Sequence, residues 1–227
     1  MTTLTRPKAL LFDLDGTLLD TAPDLVGTLL HLRRIRGLPE SDESTFRSFA
    51  TRGALGLLEA GFAGNPDINP AELRDEFLAH YAANLWVRSQ PFDGVEALLD
   101  ALATAGLAMA VVTNKVEALA RPVLEQAGWQ QRFDCLVAGD STPRSKPHPD
   151  PVLEACRQLG IDPGETIFIG DDHRDVLAGQ AAGTATIVAG WGYLPPGDDG
   201  RSWGADAVIE HPLELTGLLN LEGMQQT

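Results

Sequence analysis

The residues best able to do chemistry stand near the start of the chain. In LLFDLDGTLLDT, residues 10–21, an apolar run leads into two aspartates one residue apart. In an extended segment residues i and i+2 point to one side. Asp13 and Asp15 therefore share one space, with Leu14 turned into a core. Like charges that close need compensation, and a hard cation such as Mg²⁺ suits oxygen ligands. Gly16 permits the turn that follows, and Thr17 is free to cap local backbone. More such residues follow: Thr113-Asn114-Lys115, then Lys146 within SKPHPDP, then Gly170-Asp171-Asp172 with Asp175 one turn on. Carboxylates, a hydroxyl, a lysine and a divalent cation suit phosphoryl transfer. The metal neutralises phosphate charge. One carboxylate attacks phosphorus, and a second protonates the leaving alcohol and later activates water. Lys146 offsets charge, and Thr113 hydrogen-bonds a phosphate oxygen.

Each piece alone has a plainer reading. A DxD after a strand arises by chance, Thr113 suits a helix N-cap, Gly170-Asp171-Asp172 suits a turn, and a lone lysine is usually solvated. Position decides between the readings, so the elements matter. Residues 9–12, 107–113, 133–137, 166–169 and 185–189 read as short buried strands, apolar and not strictly alternating. That pattern fits parallel strands covered on both faces. Helical patterns lie between them at 94–105, 115–127, 149–159 and 173–182. Gly106, Gly128, Gly160 and Gly183 stand where those helices should stop. The alternation is that of a doubly wound α/β sheet. Ligands in such sheets gather outside the carboxyl ends of the strands, where each chemical motif stands.

Residues 22–84 break the rhythm. They carry helix patterns at 22–35, 45–60 and 71–84 and no convincing strand, whereas a crossover needs only one helix. They read as a helical domain inserted after the first strand, with 61–70 as a surface loop. The two crossings, near 17–21 and 85–91, should form a hinge. Residues 190–204 read as a long irregular loop, and those from about 221 as a loose tail.

These motifs, in this order, resemble those of the haloacid-dehalogenase-type phosphohydrolases. Asp13-Leu14-Asp15-Gly16-Thr17 matches the first family motif, Thr113-Asn114-Lys115 the second, Lys146-Pro147 the third and Gly170-Asp171-Asp172-His173-Arg174-Asp175 the fourth. The resemblance covers essentially the whole chain. It implies an α/β fold, with a Rossmann-like three-layer core on a parallel sheet (1–18 and 88–227) and an inserted all-helical cap (19–87). It implies Asp13 as nucleophile and Mg²⁺ ligand, Asp15 as general acid/base with its backbone carbonyl on the metal, and Asp171 as a further metal ligand. Thr113, Asn114 and Lys146 would bind the phosphoryl group. Asp175 would be an outer partner of the metal or an orienter of Lys146. Asp172 would reach a metal-bound water or face solvent. An acid at Asp15 also favours phosphate esters over haloacids.

Within the family the chain most resembles the phosphoglycolate phosphatase group, through LLFDLDGTLLDTAPDL and VVTNK. The implied reaction is Mg²⁺-dependent hydrolysis of a small phosphate monoester, 2-phosphoglycolate to glycolate and phosphate. GWGYLPPGDD and WGADAVIEHPLEL look more like phosphatases of N-acetylmuramic acid 6-phosphate from cell-wall recycling, the alternative substrate. A sugar-phosphate mutase is a further alternative. Arg52, just before a helix start, is either a bidentate partner for a substrate carboxylate or a solvated arginine.

Composition bounds the rest. The chain has 227 residues, 17 basic against 32 acidic, for a formal charge of -15. Such a surface repels nucleic acid and anionic membranes, so an anionic substrate requires local cations or a metal to reverse the field. The length suits one sizeable core, or one core plus a small satellite domain, and the expected state is a monomer or weak homodimer. Cys135 and Cys156 read as packing residues. No apolar run suits a membrane span or a leader peptide, which points to the cytoplasm. Trp86, Trp129, Trp191 and Trp203 read as packing residues, with Trp191 or Tyr193 a candidate for the rim of the site. His148, His173 and His211 lack metal-ligand spacing. GxGxxG and GxxxxGK[ST] phosphate cradles are absent.

Overall fold

A computed structural model describes residues 7–221. The chain runs β1 (Ala9–Phe12), β2 (Leu19–Asp20), α1 (Ala22–Ile35), α2 (Gly53–Gly61), α3 (Arg74–Ala83), β3 (Gln90–Pro91) and α4 (Val95–Thr104). It continues through β4 (Ala108–Val112), α5 (Glu117–Gln126), β5 (Cys135–Val137), α6 (Asp150–Leu159), β6 (Thr166–Gly170), α7 (His173–Ala182), β7 (Ala185–Ala189), β8 (Ala207–Ile209) and α8 (Glu214–Leu218).

Six strands form one parallel sheet in the order β5-β4-β1-β6-β7-β8. Successive side chains alternate across it. Leu10 and Phe12 pack with α4, α5 and α8, while Leu11 packs with α6 and α7. The result is three layers, each strand covered on both faces, as the unbroken apolar runs require. Gly106, Gly128, Gly160 and Gly183 all take positive φ just past their helices. β1 lies between β4 and β6, with Phe12 level with both Val111 and Ile169. The connection order reverses there, so the crevice opens beyond Phe12, at Asp13.

The helices of residues 22–83 form an inserted cap with an apolar core of their own, including Leu29, Leu57, Leu58, Phe77 and Tyr81. Burying side chains of this size contributes about 1.5–3 kcal/mol each. The single helix expected over 45–60 is instead two 3₁₀ turns, Glu43–Thr45 and Arg47–Arg52, followed by α2. Gly53 has φ 65°, which an α-helix cannot continue through, so the chain turns there. Two further elements were too short to show a period: the β2–β3 ribbon, two residues a strand, and β8 with three. The ribbon pairs Leu19 with Pro91 and Asp20 with Gln90 antiparallel, so the two crossings lie side by side. Residues 190–204 are irregular apart from a 3₁₀ turn at Arg201–Trp203. Leu221 is buried against the core, and the rest of the expected tail lies outside the described residues. Among the described residues no helix is long and apolar enough to cross a membrane.

Candidate active site

The sheet sets the site by register. Asp13 leaves β1 with its N–H donating to Ile169 O (2.9 Å), and Thr113 leaves β4 with its N–H donating to Val137 O (3.0 Å). Asp171 follows β6 by one residue. Three strand ends thus deliver a carboxylate, a hydroxyl and a carboxylate to one edge. A turn after Asp13, in which Leu18 and Leu19 donate back to Leu14 O, closes beneath them. Gly16 belongs there by contact as well as by its φ of 86°: a Cβ on it would stand 2.1 Å from Asp171 Oδ2.

Asp13, Asp171 and Asp175 each present an oxygen, all within 4.8 Å of one another. Asp171 is 1% exposed. Thr17 Oγ1 donates to its Oδ1 (2.9 Å) and Tyr193 N to its Oδ2 (2.9 Å). No cation pairs with it among the described ion pairs. Burial, and then the charges of Asp13 and Asp175, push its carboxyl well above the usual range. Burial also pushes Asp175 up to about 7, against the opposing pull of Lys146. A cluster of oxygen donors with more negative charge than its neighbours balance is the donor set a hard divalent cation fits. The Asp15 carboxylate is not in this cluster. The resemblance gives its backbone carbonyl, not its side chain, to a metal.

Lys146 is buried at 3% exposure and joins the two halves of the site. Its Nζ lies 3.0 Å from Asp13, 2.7 Å from Asp175 and 2.9 Å from Val112 O, to which it donates. Burial works against its charge, but Asp13 and Asp175 outweigh burial and raise its pKa. Asn114 holds its backbone in a reciprocal pair: Nδ2 donates to Lys146 O (3.0 Å), and Lys146 N donates to Oδ1 (3.0 Å). Asn114 therefore stands behind the lysine, with both amide groups committed to it. Thr113 Oγ1 accepts from Lys115 N (3.1 Å), so its proton remains free for a ligand.

Asp172 neither points to solvent nor stands free. It is the N-cap of α7, with Asp175 completing a capping box. It also pairs with Arg174 at 2.8 Å, and Arg174 reaches Thr51 O of the cap. Arg52 lines the cavity while pairing with Glu59 (3.1 Å) and standing over the Phe49 ring (5.9 Å). Neither Trp191 nor Tyr193 lines the cavity. Trp191 Nε1 donates to Thr17 O (3.0 Å), and the Tyr193 side chain is buried at the crossings.

Two residues stand in quoted motifs without an assigned role. Lys115 donates from Nζ to both Asp15 oxygens (3.0 Å each) and to Tyr81 Oη of the cap (3.0 Å). Burial opposes its charge, yet Asp15 and Tyr81 raise its pKa. Thr21 Oγ1 donates to Asp15 as well (2.5 Å). Arg174 is the other. The signal for both was a cation inside a motif of an otherwise acidic chain. Core and cap together enclose a cavity of about 340 Å³, floored by the aspartates and walled by Leu25, Ala54, Leu55, Phe77 and Leu119. Cys135 and Cys156 are free, and burial pushes the Cys135 thiol up to about 11.

The chain is 45% identical over 218 residues to the N-acetylmuramic acid 6-phosphate phosphatase of Pseudomonas aeruginosa, covering 95% of this chain and 96% of that one. It is 43% identical over 209 residues to the phosphoglycolate phosphatase of Xanthomonas campestris pv. campestris, covering 92% and 95%. A crystal structure of a predicted phosphoglycolate phosphatase from Haemophilus somnus 129pt superposes with a TM-score of 0.85, at 27% identity, over 95% of this chain and 99% of that one. The family model for haloacid dehalogenase-like hydrolases matches residues 7–183. With that match across the core and cap just described, this chain belongs to the haloacid dehalogenase-like hydrolases.

Proposed function

We propose that this hydrolase removes phosphate from a carboxylated small phosphate monoester, N-acetylmuramic acid 6-phosphate above 2-phosphoglycolate, with the phosphoryl group carried on Asp13. The observation that carries the chemistry is Asp13 at the floor of the cavity, with Lys146 against it and two further carboxylates beside it. Mg²⁺ at Asp13, Asp171 and Asp175 would neutralise and orient the phosphate. Lys146 holds the Asp13 carboxylate in place and offsets its charge. An Asp13 oxygen bonds phosphorus as the ester P–O bond breaks, and protonated Asp15 gives its proton to the leaving oxygen. Water then attacks phosphorus and yields a proton to Asp15. The bond to Asp13 breaks, releasing inorganic phosphate. Asp15 must first leave Lys115 and Thr21, which hold its carboxylate.

The apolar wall of the cavity, rather than its volume, supports the bulkier substrate. About 340 Å³ falls at the lower end of small-molecule sites, which run from about 300 to 1,000 Å³. Its apolar wall suits the body of an acylated sugar, whereas a two-carbon acid leaves most of that wall uncovered. The Xanthomonas relative keeps 2-phosphoglycolate as the second reading. Arg52 and Arg74 line the cavity from the cap and are the candidates for the carboxylate that both esters carry.

The test is kcat/KM for phosphate release from the two esters side by side with Mg²⁺. A preference for the muramic ester of about tenfold or more, roughly 1.4 kcal/mol, is expected. Parity or the reverse order moves the substrate to 2-phosphoglycolate. Isomerisation of a sugar phosphate with little phosphate release makes the protein a mutase. Asp13→Asn should lower turnover by orders of magnitude with the fold intact. A variant retaining about a tenth of wild-type turnover rules out Asp13 as nucleophile.

A further inference from the structure

We infer that Tyr193 is a positioning residue that couples the metal-site carboxylate Asp171 to the hinge between core and cap, so that metal binding and cap orientation bias one another. The inference rests on the reading of Asp171 as a Mg²⁺ ligand and goes beyond it.

The residues of GWGY, 190–193, press on the site from behind. Trp191 Nε1 donates to Thr17 O (3.0 Å). A Cβ on Gly192 would stand 2.3 Å from Asp171 Cβ and 2.5 Å from Gly16 O, so only a glycine lets the loop approach so closely. Tyr193 N donates to Asp171 Oδ2 (2.9 Å). The same residue then reaches the hinge with its side chain. Its hydroxyl donates to Asp20 Oδ1 (2.8 Å) and accepts from Ala22 N (2.9 Å), the first residue of α1. Burial, and then Asp20, hold the phenol protonated.

Tyr193 is 2% exposed, and although it follows β7 of the core its ring belongs to the apolar core of the cap. Arg47 of the cap stands over that ring at 5.0 Å and pairs with Asp20 at 2.9 Å. Phe92, on the second crossing, meets the ring at 6.0 Å. Both crossings and the cap thus pack on one side chain whose backbone holds Asp171. A rotation of the cap has to carry Asp20 and Ala22 past Tyr193 or pull on it. Coupling of this kind is reciprocal: whatever fixes Asp171 must also restrain the hinge, and the reverse.

Tyr193→Phe keeps the backbone donor to Asp171 and the ring while removing the link to Asp20 and Ala22. Amide hydrogen exchange at Leu25, whose N–H donates to Thr21 O in the first turn of α1 and not to Tyr193, is measured with and without saturating Mg²⁺, and Mg²⁺ binding is followed by calorimetry in the same samples. In the wild type Mg²⁺ should slow exchange at Leu25 by about fivefold or more, the lower end of ordinary coupling. In Tyr193→Phe the slowing should vanish while Mg²⁺ still binds. Asp20→Asn, which weakens the other partner, should reduce it in the same sense and carries the test if Tyr193→Phe does not fold. Equal slowing in wild type and variants, or none in a wild type that binds Mg²⁺, overturns the inference. A wild type that binds no Mg²⁺ overturns the metal reading and the inference with it.

Discussion

At the scale of single residues, the site depends on groups that hold other side chains in place. Both side-chain functions of Asn114 are spent on the backbone of Lys146. Asn114→Ala should therefore displace the lysine from Asp13 without unfolding the core. A misplacement of about 1 Å in a catalytic group costs on the order of 10²-fold, and kcat/KM should fall by about that much while Tm changes little. A fall in Tm that accounts for the whole loss of activity would assign Asn114 to stability alone. Asp175 shows a related economy. One carboxylate holds Lys146 through Oδ1 and accepts from Asp172 N through Oδ2, closing the cap of α7. Packing and chemistry meet in the same two atoms.

At the scale of elements, the cap joins the core through two crossings, and one buried carboxylate stitches them. Asp24, in the first turn of α1, accepts from Val87 N (3.1 Å), Arg88 N (2.9 Å), and Ser89 N (2.9 Å) and Oγ (2.6 Å) on the returning chain. Hydrogen bonds to a charged group contribute about 1.5–3 kcal/mol each, and buried donors left unpaired cost about 1–3 kcal/mol. Asp24→Ala strands several of them at once and should destabilise the protein by about 3 kcal/mol or more. Denaturant unfolding measures this, and a loss under about 1 kcal/mol would mean that water replaces the carboxylate there. Periodicity located α1 but gave no hint of this clamp, because its partners lie more than sixty residues away.

At the scale of the whole molecule, a chain of charge -15 still presents a site fit for an anion. Arg52, Arg74, Lys115, Lys146 and Arg174 line the cavity and equal in number the five aspartates that line it. With every one of these groups ionised the lining is near neutral, and it becomes cationic once a divalent metal is added. Without metal, the clustered carboxylates oppose folding, since burial and Asp13 disfavour the charged form of Asp171. Mg²⁺ should accordingly raise Tm, by a stabilisation of about 2.7 kcal/mol at a hundred times its Kd. Asp171→Asn should leave the chelator-treated protein at least as stable as the wild type, while abolishing that response. A variant that melts well below wild type in chelator would show that Asp171 supports the fold rather than straining it.

Sequence by itself determined what is local or repeated. Asp13, Thr113 and Asp171 were legible because each stands at or just past the end of a short apolar run, and parallel strands present their carboxyl ends to one crevice whatever the loops do, whereas Lys146 was legible only as a lysine in a proline-rich loop. The inserted cap was legible because three helices are too many for one crossover. What only the tertiary structure decided depends on groups far apart in the chain. Asp15 turns to Lys115, itself held by Tyr81 of the cap, rather than to the other carboxylates, Arg174 reaches Thr51 of the cap, and Tyr193 lies buried at the crossings rather than on the rim. Side-chain direction at a strand end is set by which partner the fold brings within hydrogen-bond distance. Spacing along the chain carries no record of that partner.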